Sequence, residues 1–155
     1  MQTKFIEMER GSNIFESLAR VYVNPVNCLG ISGKGLAKEY KTRYPEIVKL
    51  YEDHCKTKGM EPGTIFTVDT RLMAKMSYIV FLATKDNWRN PSKIEYVTDG
   101  LIELRQFMEK KKEYFVAIPA LGAGLGQLTW NEVRREIYDQ FEGFDGTIEI
   151  YPPFL

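Results

Sequence analysis

The sequence predicts an α/β protein, a layered sheet covered by helices on both faces, and three observations carry that expectation. Short apolar or β-branched runs alternate along the chain with longer segments of helical periodicity. Two glycine-rich stretches, residues 30–35 and 122–126, each follow an apolar run and lead into a helical one. With 155 residues, 44% of them hydrophobic, the chain can bury one core and is too short for two comfortable ones. Residues 1–155 are therefore expected to form a single domain.

The elements follow in order. Residues 4–9 (KFIEME) alternate as a strand does, and Gly11, Ser12 and Asn13 supply a turn behind it. Residues 20–24 (RVYVN) form a β-branched and aromatic run that Pro25 is expected to close. The first glycine stretch leads into a helix through Tyr44, and Pro45 suits the first turn of the next, over residues 46–56. Residues 64–70 and 78–83 read as strands, the second so apolar that it belongs inside the sheet. Pro91 and Ser92 open a long amphipathic helix in which Ile94, Val97, Leu101, Leu104 and Met108 recur at helical spacing. Residues 114–118 make another buried strand, residues 130–141 a helix, and residues 147–151 the last strand.

Charge and cysteine usage narrow the function classes. Twenty-one basic and twenty-one acidic side chains cancel, so the chain has no generic electrostatic grip on nucleic acid. Any contact with DNA or RNA is expected to be local, through one modified nucleotide. Cys28, Cys55 and the single His54 do not make a zinc set or a disulfide framework, so no metal and no cofactor is expected. Residues 1–10 are charged, and no apolar run is long enough to span a bilayer. A soluble, cytoplasmic, monomeric protein without a membrane partner is the resulting expectation. Cys28 reads as a small buried filler, His54 as part of a charged helix face, and Lys110, Lys111 and Lys112 as cations suited to a helix C-terminus.

A strand-to-helix turn rich in glycine points backbone N–H groups inward with no Cβ in the way, and the helix N-terminus adds partial positive charge. One such turn is equally a tight turn without a ligand; two in one small sheet suit a diphosphate gripped from both sides. Neither is a P-loop, because no Gly-x-x-x-x-Gly-Lys-Ser/Thr pattern is present. The first also lacks the Rossmann spacing and follows the second strand.

Val23-Asn24-Pro25-Val26-Asn27, followed by Gly33-Lys34-Gly35-Leu36-Ala37, resembles the first signature of the macrodomain family. Residues 118–126 (IPALGAGLG) resemble its second, and order and spacing fit over nearly the whole chain. The resemblance implies a three-layer α/β/α fold with a central mixed sheet and an ADP-ribose cleft across the strand ends. It implies that Asn13, standing where many relatives have an aspartate, accepts from the adenine amino group, which an amide carbonyl can do. Ile14 would lend a backbone N–H to the adenine edge, and Asn27 would hydrogen-bond the distal ribose hydroxyls, its alternative being a cap for its own loop. Gly33, Lys34, Gly35, Leu36 and Ala37 would line the diphosphate and distal ribose. Leu121, Gly122, Ala123, Gly124, Leu125 and Gly126 would close over the diphosphate from the other side. Tyr151 has two roles open to it, stacking on adenine and filling the core.

A narrower match lies at residues 82–92 (LATKDNWRNPS), which resemble the Thr-Lys-x-x-Trp-Arg-x-Pro-Ser signature of DarG antitoxin macrodomains. Those are similar to the human terminal ADP-ribose glycohydrolase, and they remove ADP-ribose from DNA bases modified by the DarT toxin. The lysine matching Lys85 is catalytic in that branch, which implies ADP-ribose or an ADP-ribosylated substrate, single-stranded DNA among them, as the partner. Lys85 follows an apolar strand, so its amine would emerge at the sheet's end; partial desolvation would lower its pKa and favour attack on the anomeric carbon, whereas as a cation it would polarise the leaving base. The human enzyme pairs its lysine with an aspartate where this chain has Gly126, a residue DarG-like loops also lack. Two other readings stay open: a phosphatase of ADP-ribose 1″-phosphate or deacylase of O-acetyl-ADP-ribose, and a reader that binds ADP-ribose without chemistry.

Overall fold

The computed structural model describes residues 2–154. Its elements are β1 (Lys4–Glu7), a short 3-10 turn (Ile14–Glu16), β2 (Val21–Val26), α1 (Gly35–Arg43), α2 (Pro45–Thr57), β3 (Ile65–Asp69), β4 (Tyr78–Ala83), α3 (Ile94–Lys111), β5 (Phe115–Ile118), α4 (Trp130–Phe141) and β6 (Thr147–Ile150). The six strands form one sheet in the order β1-β6-β5-β2-β4-β3. Every neighbouring pair is parallel except β3 and β4, so the sheet is mixed.

Alternation along each strand sends side chains to two cores. On one face Tyr22, Val26, Ile79 and Phe81 pack with Tyr40 of α1 and Ile47, Val48 and Tyr51 of α2. On the other, Val21, Val23, Val80, Leu82, Val116 and Ile118 meet Val97, Leu101, Leu104 and Met108 of α3 and Val133, Ile137 and Phe141 of α4. The result is the expected three-layer α/β/α arrangement. Each fully buried aliphatic or aromatic side chain contributes about 1.5–3 kcal/mol, which is why the apolar stripe of α3 holds it on the sheet. Contact there is close: a Cβ on Gly100 would lie 2.5 Å from Leu82 Cδ2. The start of α4 is fixed by a capping box, in which the Thr129 hydroxyl accepts from Glu132 N and the Glu132 carboxylate accepts from Thr129 N.

One boundary departs from expectation. Pro25 does not close β2; the strand runs through it to Val26, paired to β4 as far as Val26 and Ala83. Val26 O accepts from Thr84 N on the β4 side, so alternation turns the missing N–H of Pro25 toward β5. There the β2–β5 ladder has already stopped, at Tyr22 and Ala117, and no donor is needed. Beyond that point the two strands diverge and the sheet opens at their carboxyl ends. Strand order reverses at the same place, β4 lying on one side of β2 and β5 and β6 on the other, which is where open α/β sheets bind ligands. Among the described residues no helix is long and apolar enough to cross a membrane.

Candidate active site

The two glycine loops leave the carboxyl ends of β2 and β5 and meet over this opening. The first is shaped by Asn27, a buried residue whose carboxamide caps its own loop. Leu29 N and Ile31 N donate to Asn27 Oδ1 at 3.0 and 3.3 Å, and Asn27 Nδ2 donates to Ile31 O at 2.8 Å. The Tyr51 hydroxyl donates to Asn27 O at 2.7 Å and lies 3.2 Å from Oδ1, so α2 braces the turn from beneath. Burial pushes the Tyr51 hydroxyl well above its ordinary pKa, keeping it a neutral donor. The turn needs left-handed backbone at Gly30 (φ 77°) and Gly35 (φ 58°). The first helical bond of α1 runs from Lys38 N to Lys34 O, so the amides of Gly35, Leu36 and Ala37 are the unsatisfied donors of a helix start.

The second loop is a chain of tight turns. Ala123 N donates to Ala120 O, Gln127 N to Gly124 O and Leu128 N to Gly122 O. The amides of Gly124, Leu125 and Gly126 donate to no acceptor among the described residues. The two loops touch where Gly35 faces the Leu125 side chain, a Cβ on Gly35 falling 3.1 Å from Leu125 Cδ1. At Gly33 and Gly124 a Cβ would meet nothing within 4 Å, so both face open space. Gly126 is the opposite case: a Cβ there would overlap Ser92 Oγ and lie 2.5 Å from Gly122 O.

Lys85 joins the two loops. It stands just past β4, beside Asn27 just past β2, and the strand ends are tied by Cys28 N donating to Asp86 O (3.0 Å) and the Cys28 thiol to Lys85 O (3.3 Å). Cys28 is buried, and burial pushes its thiol up to about 12, so it packs and ties rather than reacts. The Lys85 ammonium reaches across to Leu125 O at 3.4 Å. Partial burial disfavours its charged form and lowers its pKa from 10.5. No carboxylate is among the causes of that shift, so desolvation acts unopposed. Among the described residues no cluster of three His, Cys, Asp or Glu side chains is placed to hold a metal ion. A shallow hollow beside Asp69, Arg71, Leu72 and Met73 lies at the other end of the sheet, where Asp69 pairs with the first residue of β4.

A family model of the macro domain matches residues 23–137, which hold both glycine loops and the strands between them. The chain belongs to the macrodomain family. A DNA ADP-ribosyl glycohydrolase of Mycobacterium tuberculosis is 40% identical over 132 residues, covering 84% of this chain and 38% of that relative. The chain thus spans about two-fifths of the length of this curated relative. Among solved structures, the macrodomain of Mycobacterium tuberculosis DarG superposes with a TM-score of 0.90 at 35% identity, covering 96% of this chain and 97% of that one. Thermosipho africanus DarTG in complex with ADP-ribose matches with a TM-score of 0.82 at 28% identity, over 91% of this chain and 40% of that one.

In this macrodomain the residues expected from sequence fall into three groups. Asn27, Gly33, Lys34, Gly35, Leu36, Ala37, Lys85 and residues 121–126 gather around the opening between β2 and β5. Asn13 and Ile14 precede β2 in the chain, where Asn13 caps the 3-10 turn by accepting from Phe15 N at 2.9 Å. Tyr151 is only 6% exposed: its ring sits in the core cluster of α1 and α2 and its hydroxyl donates to Glu149. His54 is less solvent-facing than its charged neighbours imply, since its ring stacks on Phe66 with centroids 4.4 Å apart.

Three polar residues were not singled out as site residues from sequence. The Asn24 carboxamide, fully buried in β2, and the buried hydroxyls of Ser32 and Ser92 have no hydrogen-bond partner among the described residues. Leaving such a group unpaired costs about 1–3 kcal/mol, an arrangement concentrated at functional sites. Asn24 lies in the strand that leads to the first loop and Ser32 within that loop, and Ser92 lies against the second, its N–H donating to Gly126 O at 2.9 Å. Asn24 and Ser92 each stand inside a family signature, which was the available signal.

Proposed function

We propose that this macrodomain binds ADP-ribose across the opening of the sheet and hydrolyses the N-glycosidic bond joining it to a DNA base. The observation that carries the reading is Lys85, a partly desolvated amine held between the two glycine loops with Nζ 3.4 Å from Leu125 O. The name of the Mycobacterium tuberculosis relative supports the same reaction. The diphosphate lies between the helix-start amides of Gly35, Leu36 and Ala37 and the amides of Gly124, Leu125 and Gly126, two sets of main-chain donors suited to a dianion. Asn13 and Ile14 take the adenine end. Asn27 positions the distal ribose, its capping bonds fixing the loop that carries it.

Desolvation eases loss of the ammonium proton, and in this reading the Lys85 amine, once deprotonated, acts as a nucleophile. Its nitrogen attacks the anomeric carbon, the bond to the base nitrogen breaks, and the base leaves with the electron pair and takes up the proton that the lysine nitrogen sheds. Water then adds to the same carbon as the bond to the lysine nitrogen breaks, releasing ADP-ribose and restoring the amine. In the same reading the protein works as a cytoplasmic monomer, which its two free thiols suit.

The test compares initial rates of ADP-ribose release from an ADP-ribosylated single-stranded oligonucleotide with phosphate release from ADP-ribose 1″-phosphate. Faster turnover of the oligonucleotide is expected. Much faster turnover of the phosphate ester would make the protein a phosphatase, and tight binding of ADP-ribose with no turnover of either would make it a reader.

A further inference from the structure

The reaction leaves one part of the narrow signature without a task. Trp88 is 43% exposed and belongs to neither core cluster, an unusual position for the largest apolar side chain. The Arg89 guanidinium lies over its ring, 4.8 Å from the centroid. The turn that carries the pair is built and anchored. Arg89 N donates to Asn87 Oδ1 and Asn90 N to Asn87 O, both at 3.0 Å. At one end Asp86 O accepts from Cys28 N of the first glycine loop; at the other, Ser92 N donates to Gly126 O of the second. Trp88 is three residues beyond Lys85, so their Cα atoms are within about 11 Å of each other. Within residues 85–93, Lys85, Arg89 and Lys93 outnumber the single carboxylate, Asp86, a local positive excess in a chain of zero net charge.

We propose that the Trp88–Arg89 pair is a stacking platform for a nucleotide flanking the modified one on a single strand of DNA. The proposal rests on the reading of Lys85 above, which puts the anomeric carbon beside this lysine. The base bonded to that carbon lies outside the ADP-ribose cleft, so the strand leaves over the turn between Lys85 and Ser92. An exposed indole topped by a guanidinium presents the flat cationic surface on which unpaired bases stack whatever their sequence. A fixed turn offers it at little cost in ordering. A platform one nucleotide wide also fits the chain's neutrality, since it needs no basic track along the backbone.

Trp88→Ala and Trp88→Phe, with wild type, are assayed on an ADP-ribosylated single-stranded oligonucleotide and on the ADP-ribosylated mononucleoside of the same base. Trp88→Ala should raise KM for the oligonucleotide about tenfold with little change in kcat. It should leave the mononucleoside unaffected, and Trp88→Phe should recover most of the loss. Equal losses on both substrates, or none on either, would overturn the platform. If wild type cleaves neither substrate, the functional reading fails separately. Anisotropy of a labelled, unmodified single-stranded oligonucleotide at low salt then decides: binding weakened about tenfold by Trp88→Ala supports the platform, and equal binding refutes it.

Discussion

Gly124 and Gly126, two residues apart, face opposite surroundings, and the difference predicts opposite behaviour. Nothing lies within 4 Å of a Cβ on Gly124, so a side chain there projects into the space proposed for the diphosphate and disturbs no protein atom. Gly124→Glu should melt near the wild-type temperature while a carboxylate beside the diphosphate weakens ADP-ribose binding about a hundredfold by calorimetry. Unchanged affinity in the folded variant would move the diphosphate elsewhere. Gly126 has no such room: Ser92 Oγ and Gly122 O occupy the place of its Cβ, so an acidic partner for Lys85 cannot be hung there without displacing the loop. Lys85 therefore has burial alone acting on its amine. Burial destabilises the ammonium, so the proton leaves at a lower pH in the folded protein than in a free lysine. Acylation of Lys85 by an amine-reactive reagent, followed by mass spectrometry, should have its midpoint below pH 10.5, and unfolding should return it there. A folded-state midpoint at or above 10.5 would contradict the desolvated environment.

Elements were legible where local chemistry sets them. The helix at residues 130–141 coincides with α4 because Thr129 and Glu132 write its start, and Pro45 writes the start of α2. The apolar run 78–83 is β4 to the residue. Pro25 misled because a proline ends a strand only where its missing N–H would face a partner, and whether β5 is there is a tertiary fact. The 3-10 turn at Ile14–Glu16 has too few residues to show a period. Gly100 makes the same point in reverse. Within a helix it costs about 1 kcal/mol relative to alanine, yet here it lets α3 lie against Leu82 of β4. Gly100→Ala should therefore destabilise rather than stabilise, by about 1–3 kcal/mol in chemical denaturation, because the Cβ must displace a fully buried leucine. A gain in stability would show that Leu82 has room to yield.

Across the whole molecule, the site is the place where a parallel sheet opens. β2 pairs with β4 to its end but leaves β5 after Tyr22, and both glycine loops and Lys85 converge on the gap. The sequence carried the loops and the lysine because each sits in a contiguous signature. It did not carry the contacts between them: the reach of Lys85 to Leu125, the bond from Ser92 to Gly126 and the packing of Leu125 on Gly35 join residues far apart in the chain. Tyr151 shows the same limit, since its place among the buried residues of α1 and α2 is a tertiary fact. The central claim, that Lys85 performs the chemistry in a cleft assembled by these long-range contacts, is tested most directly with Lys85→Ala. Release of ADP-ribose from an ADP-ribosylated single-stranded oligonucleotide is followed in a single turnover, with ADP-ribose affinity measured on the same preparation. The account predicts a rate at least a thousandfold lower, on the order of 4 kcal/mol in barrier, with affinity for free ADP-ribose within about threefold of wild type. Wild-type turnover by the folded, ADP-ribose-binding variant would contradict it.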